Sequence, residues 1–93
     1  MWEIYEHRKV AKNLAAAPVE VQKRYEKWKD IVAISGPQGL PHIRGFNDEA
    51  LSGNWKGFRS SRLNIQYRVI YRVQKEEVLV QVERVTPHDY GRK

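Results

Sequence analysis

The sequence predicts an α+β fold: a short N-terminal strand and two helices packed on an antiparallel β-sheet. Apolar residues recur at helical spacing between positions 10 and 34, then alternate at period two between positions 67 and 85. A polar run, Gln74-Lys75-Glu76-Glu77, divides that second stretch into a hairpin. The chain has 93 residues, which suits one domain spanning 1–93, because folded units typically hold roughly 100 residues.

The elements follow in order. Trp2, Ile4 and Tyr5 predict a brief opening strand. Val10, Leu14 and Ala15–Ala17 fall near helical spacing, and Pro18 interrupts them at a position suited to the first turn of a second helix. That helix, from Pro18 to Ile34, places Val21, Tyr25, Trp28 and Val32 on one face, with Glu20, Lys23, Arg24, Lys27 and Lys29 on the polar side. Ser35-Gly36-Pro37 ends it. A Gly/Pro/Asn-rich connection, 36–54, offers Leu40, Ile43, Phe46 and Leu51 as anchors, and loops of this length are often functional. Trp55–Leu63 reads as a strand whose imperfect alternation suggests a bulge. Tyr67, Val69, Tyr71 and Val73 then alternate with Arg68, Ile70 and Arg72. After the turn, Val78, Val80 and Val82 alternate with Leu79, Gln81 and Glu83, and the tail TPHDYGRK leaves the sheet after Val85. The chain shows neither internal repeats nor low-complexity segments.

Several functional classes drop out on composition. The chain has no cysteine, which excludes a disulfide scaffold, a thiol nucleophile and thiolate metal ligands. His7, His42 and His88 lack metal-ligand spacing, so neither a metal nor another cofactor is expected. The apolar runs are far shorter than the roughly 20 residues that span a bilayer, and the first ten residues, MWEIYEHRKV, lack the features of a secretory leader. A soluble, cytoplasmic protein is therefore expected.

Net charge is +6, and it is unevenly placed. Residues 1–53 hold eight basic and seven acidic side chains, whereas residues 54–93 hold nine and four. From Asn54 to Arg72 there are five cations (Lys56, Arg59, Arg62, Arg68 and Arg72) and no acid. Such a patch attracts polyanions, and arginine suits phosphate because its planar guanidinium binds two oxygens at once. A solvated surface patch is the plain alternative. If the Tyr/Val face of the 67–73 strand packs on the helices, Arg68 and Arg72 lie on the opposite face. Parity along the preceding strand adds Lys56, Ser60 and Arg62 to one side. An arginine-studded face bordered by a His/Tyr tail makes a poor core and a plausible RNA cradle.

RNA can be cut without metal when its own 2′-hydroxyl is the nucleophile. The protein must then supply a base for the 2′ proton, cations for the crowded phosphate, and an acid for the departing 5′ oxygen. His88 is the histidine of the basic half, with a side chain suited to proton transfer near neutrality. Tyr90 offers a proton donor or a stacking ring, and Arg62 and Arg68 offer phosphate contacts. Each also has an ordinary reading, as a solvated histidine, a packed tyrosine or surface cations. Composition and spacing leave enzyme and passive binder both open.

The stretches LSGNWKGFRSSRL, YRVIY and VERVTPHDY, in that order, resemble the bacterial RelE/ParE toxin superfamily, and within it the RelE-like branch of HigB, YafQ and YoeB type. With the N-terminal strand and two helices, the resemblance covers nearly the whole chain. It implies the RelE-like microbial ribonuclease fold and an endoribonuclease, an mRNA interferase that cleaves messages in the ribosomal A site. It also implies a type II toxin–antitoxin system with a cognate antitoxin, besides mRNA and the ribosome with its rRNA, as partners, and no membrane. Carried over by position, the resemblance makes Arg62, Arg68, His88 and Tyr90 the catalytic set. Lys56 and Arg59 match by basic character alone, and Arg72, Arg92 and Lys93 extend the RNA- and phosphate-binding group. Two departures stand out. His88 and Tyr90 are closer together than in the family's H-R-x-x-x-Y pattern, and Gly91 replaces an expected cation, which implies weaker substrate contact and an attenuated toxin. The alternatives are the gyrase-inhibiting ParE-like branch and a non-catalytic RNA- or ribosome-binding module.

Overall fold

The computed structural model describes residues 1–87 of the chain. Strands β1 (Glu3–Glu6), β2 (Glu49–Ala50), β3 (Arg59–Arg62), β4 (Tyr67–Gln74) and β5 (Leu79–Pro87) form one sheet in the order β1-β5-β4-β3-β2. Helices α1 (Lys9–Ala15) and α2 (Val19–Ser35) separate β1 from the rest in sequence, and together they cover one sheet face. The β2–β3, β3–β4 and β4–β5 pairs are antiparallel, as expected, but β1 runs parallel to β5. The sheet is therefore mixed. A lone four-residue strand carries no signal of its direction, and its partner here is the last strand of the chain.

The long helix follows its apolar period closely. Val21, Tyr25, Trp28 and Val32 are fully buried, and the ring of Trp28 stacks on Tyr25 and meets Tyr71 edge-on, with centroids 5.8 and 5.1 Å apart. Truncating a side chain like Trp28 to alanine typically costs about 3–5 kcal/mol. Pro18 is the N-cap rather than a residue of the first turn. At that junction Gln22 Nε2 donates to the Leu14 and Ala17 carbonyls, fastening α1 to α2. Gly36 closes α2 with φ at 79°, and a Cβ there would lie 2.5 Å from Trp2 Nε1, so the position has room only for glycine.

The connection after α2 is held by its own anchors. Its first part is a 3-10 turn (Pro37–His42), with Leu40 and Phe46 fully buried and Ile43 packed on the core. Leu51, half-buried, lies outside that cluster. Within this connection lies β2, a strand too short to show in the sequence pattern.

Three expected strand features are corrected. The stretch Trp55–Leu63 begins with a 3-10 turn (Gly53–Trp55), so the strand is confined to Arg59–Arg62. The bulge lies in β5: Ile70 pairs with Arg84 and Tyr71 with Val82, leaving Glu83 as the extra residue. Val78 belongs to the turn rather than to the strand, at φ 51°, while β5 continues past Val85 to Pro87. The bulge explains why the buried valines of β5 are Val80, Val82 and Val85, spaced by two and then three.

Candidate nucleic-acid interface

Strand register decides which side chains share the sheet face away from the helices. Val69 and Tyr71 of β4 belong to the helix-side core, so Arg68, Ile70 and Arg72 point the other way. Across β3–β4, Arg62 is directly opposite Arg68 and Ser60 is opposite Ile70. Across β4–β5, Thr86 is opposite Arg68, Arg84 opposite Ile70 and Gln81 opposite Arg72. The outer face is thus a set of rows: Arg62–Arg68–Thr86, then Ser60–Ile70–Arg84, then Arg72–Gln81. Ile70 is fully buried at its centre.

Two aromatic rings finish the third row. The Trp55 and Phe58 rings meet edge to face at 5.3 Å. The Arg84 guanidinium lies 5.2 Å over Trp55, and that of Arg72 lies 5.7 Å over Phe58. Arg72 Nε also donates to Gln81 Oε1 at 3.2 Å. Among the described residues, none of Arg62, Arg68, Arg72 and Arg84 forms an ion pair with a carboxylate. Placing like charges directly opposite, as in Arg62–Arg68, is unfavourable by itself. The Nε atoms of Arg62 and Arg84 are buried without a hydrogen-bond partner. A set of guanidinium groups with no carboxylate partner among the described residues makes this face electrostatically receptive to an anion.

Arg59 has a different place. Its register partner is Tyr71, which puts it on the helix side. There its Nε and one terminal nitrogen donate to Asp48 Oδ2 at 2.9 and 2.7 Å. Asp48, its side chain 2% exposed, also accepts from the Tyr71 hydroxyl and, at 2.7 Å, from Ser61 Oγ. Trp28 Nε1 donates to that same Ser61 oxygen at 2.9 Å. The network ties α2, β3 and β4 to the loop that carries Asp48. Burial pushes the Tyr71 phenol up, and its hydrogen bond to Asp48 adds to that. For Arg59 burial pulls down, but the bond and charge of Asp48 outweigh it and hold the guanidinium above its ordinary range. This arginine is occupied within the fold.

The remaining candidates divide as follows. Lys56 is exposed beside the Gly53–Trp55 turn, ahead of β3, so strand parity does not govern it. His88, Tyr90, Gly91, Arg92 and Lys93 lie outside the described residues. Pro87, the residue before His88, pairs with Tyr67, one position beyond the Arg68–Thr86 pair. Of the other histidines, His7 accepts from the Lys9 backbone N–H through Nδ1 at 3.1 Å, and His42 belongs to the Pro37–His42 turn. Among the described residues no group of His, Asp and Glu converges to hold a metal ion.

Sequence reading missed Arg84, Trp55 and Phe58. Simple alternation from Val80 would have turned Arg84 toward the helices; the Glu83 bulge turns it outward. The aromatic pair looked like the start of a strand. A concavity of about 600 Å³ opens beside the long loop between Trp2, Pro37, Pro41, Val73, Lys75 and Arg59. No helix among the described residues is long and apolar enough to cross a membrane.

No family model and no curated protein sequence matches the chain. Solved structures do. The RelE of an archaeal RelE–RelB complex from Pyrococcus horikoshii OT3 superposes with a TM-score of 0.74 at 24% identity, covering 96% of this chain and 97% of that one. A metal-bound toxin from Helicobacter pylori gives 0.73 at 22% identity, covering 95% and 96%. YafQ from E. coli strain BL21(DE3) gives 0.67 at 22% identity, covering 95% and 94%. The chain therefore has the RelE-like α+β fold, shared over almost its entire length.

Proposed function

We propose that this protein is the toxin of a type II toxin–antitoxin pair and acts as a ribosome-dependent endoribonuclease on mRNA in the ribosomal A site. The observation that carries this reading is the directly opposed pair Arg62–Arg68, on the sheet face away from the helices, where no carboxylate among the described residues pairs with either. The RelE-like fold supports it, as do the neighbouring structures of RelE with RelB, YoeB with YefM and YafQ with DinJ, each solved as a complex.

In this reading the 2′-oxygen attacks phosphorus as its proton passes to a base, the P–O5′ bond breaks, and an acid protonates the leaving 5′-oxygen. The products are a 2′,3′-cyclic phosphate and a 5′-hydroxyl. Arg62 and Arg68 bind the non-bridging oxygens, where negative charge accumulates in the transition state. His88 and Tyr90 supply the proton transfers between them, and the chemistry needs no metal. Lys56, Arg72, Arg92 and Lys93 hold the flanking phosphates. A cognate antitoxin silences the protein by covering the basic face or the cleft beside the long loop, and the setting is the cytoplasm.

Primer extension on translated messages after brief induction is the direct test. Cuts in register with codons are expected, and R68A should reduce them by about 10²–10³, the usual cost of losing one charge-stabilising donor. Halted translation over intact messages would sink the nuclease reading. Inhibited supercoiling by purified gyrase would replace it with the gyrase-directed alternative.

A further inference from the structure

The third row of the outer face lies beyond the scissile phosphate held at Arg62 and Arg68, and its pairing of aromatic rings with guanidinium groups is unusual for a plain solvated surface. We propose that Trp55, with Phe58, Arg72 and Arg84, forms a stacking subsite for a nucleotide that flanks the one held at Arg62 and Arg68. This inference rests on the RNA-cleaving reading above and extends it along the strand.

Four observations carry it. First, the position is right: Arg72 follows Arg68 by four residues on β4, about 13 Å along a strand, which is the reach of a few nucleotides of extended single strand. Arg84 lies between them, in register with Ile70 on the neighbouring strand, so cations continue from one end of the face to the other. Second, the chemistry is right. Sequence-tolerant binding of single strands combines cations that follow the backbone with aromatic faces that accept bases, and here each ring is paired with a guanidinium. Third, the rings are half-buried, which fixes them while leaving part of each accessible. Fourth, the turn that presents them is braced. Phe58 N donates to the Trp55 carbonyl and Leu51 N to the Phe58 carbonyl, both at 2.9 Å. A ring held this way loses little freedom when a base stacks on it.

The test uses the full chain and programmed ribosomes carrying messages in which single nucleotides on either side of the cut are replaced by abasic riboses. For the unsubstituted protein, one flanking abasic position should slow cleavage roughly tenfold, in line with the worth of one base–aromatic stack. W55A should be slower by a similar factor on the intact message and indifferent to that abasic position, while W55F restores both rate and sensitivity. Thermal melts of W55A and W55F verify folding, and R84Q gives a second route because it leaves the ring in place and removes its cation. An abasic penalty that is the same in the unsubstituted protein and in W55A would overturn the subsite while leaving the nuclease reading intact. Absence of cleavage by the unsubstituted protein on every message would overturn the nuclease reading, and the subsite with it.

Discussion

Arg59 and Arg62 are three residues apart and have the same chemistry, but opposite consequences are expected when each is lost. Arg62 lies on the outer face across from Arg68, with its Nε unsatisfied. Arg59 is bonded to the buried carboxylate of Asp48 on the helix side. R59A should lower stability by about 1–3 kcal/mol, because Asp48 loses its cationic partner while remaining out of water. R62A should cost less stability than R59A, because it removes a buried donor that has no partner and relieves the like-charge contact with Arg68, and it should lose cleavage instead. Urea melts of the two variants beside the cleavage assay check this; equal destabilisation would show that Arg62, too, is needed for the fold.

At the scale of elements, the β4–β5 hairpin shows how local backbone choices place function. The turn (Lys75–Glu77) ends on Val78 at φ 51°, a left-handed conformation that a β-branched residue adopts only at a cost. V78N should therefore raise stability by about 1 kcal/mol, since asparagine tolerates that region. For a domain of this size the gain amounts to about 4–8 °C in Tm. An unchanged or lower Tm in a thermal scan would mean that the exposed valine packs in a way that offsets its strain. The bulge at Glu83 then reverses side-chain parity, so that Val85 enters the core and Arg84 joins the outer face. In the sequence that reversal shows only as the change of valine spacing from two to three at Val80, Val82 and Val85. The helix α2, by contrast, was legible from its spacing, since each apolar position faces the same core at every turn.

The molecule as a whole separates its two faces by charge and burial. On the helix side, two tyrosines carry phenols held above their ordinary range. Burial acts first in both, followed by the hydrogen bond to Glu6 for Tyr25 and to Asp48 for Tyr71. A raised phenol pKa means that the folded state keeps a proton which the unfolded chain releases near pH 10. Their contribution is therefore complete below about pH 10 and is lost as pH rises above it. Tm should fall steeply from pH 10 upward, and Y71F should make that fall shallower by removing one of the two groups. Melting curves between pH 8 and 11 check the slope; an identical slope in Y71F would show that Tyr71 ionises equally in both states. On the other side, Arg62, Arg68, Arg72 and Arg84 have no carboxylate partner among the described residues.

The sequence by itself determined the order of elements, the buried stripe of α2, the inward Val69 and Tyr71, and an arginine-rich face containing Arg62, Arg68 and Arg72. These features repeat at the period of a helix or a strand, so they are written into the chain directly. Tertiary structure decided what does not repeat: the parallel pairing of β1, the two-residue strand β2, and the outward turn of Arg84 at a bulge. It also decided that Arg59, alike in type to its neighbours, is spent on Asp48, eleven residues earlier in the chain. The physical reason is that a side chain's periodic position fixes the face it occupies, whereas its partners depend on which other segments the fold brings there.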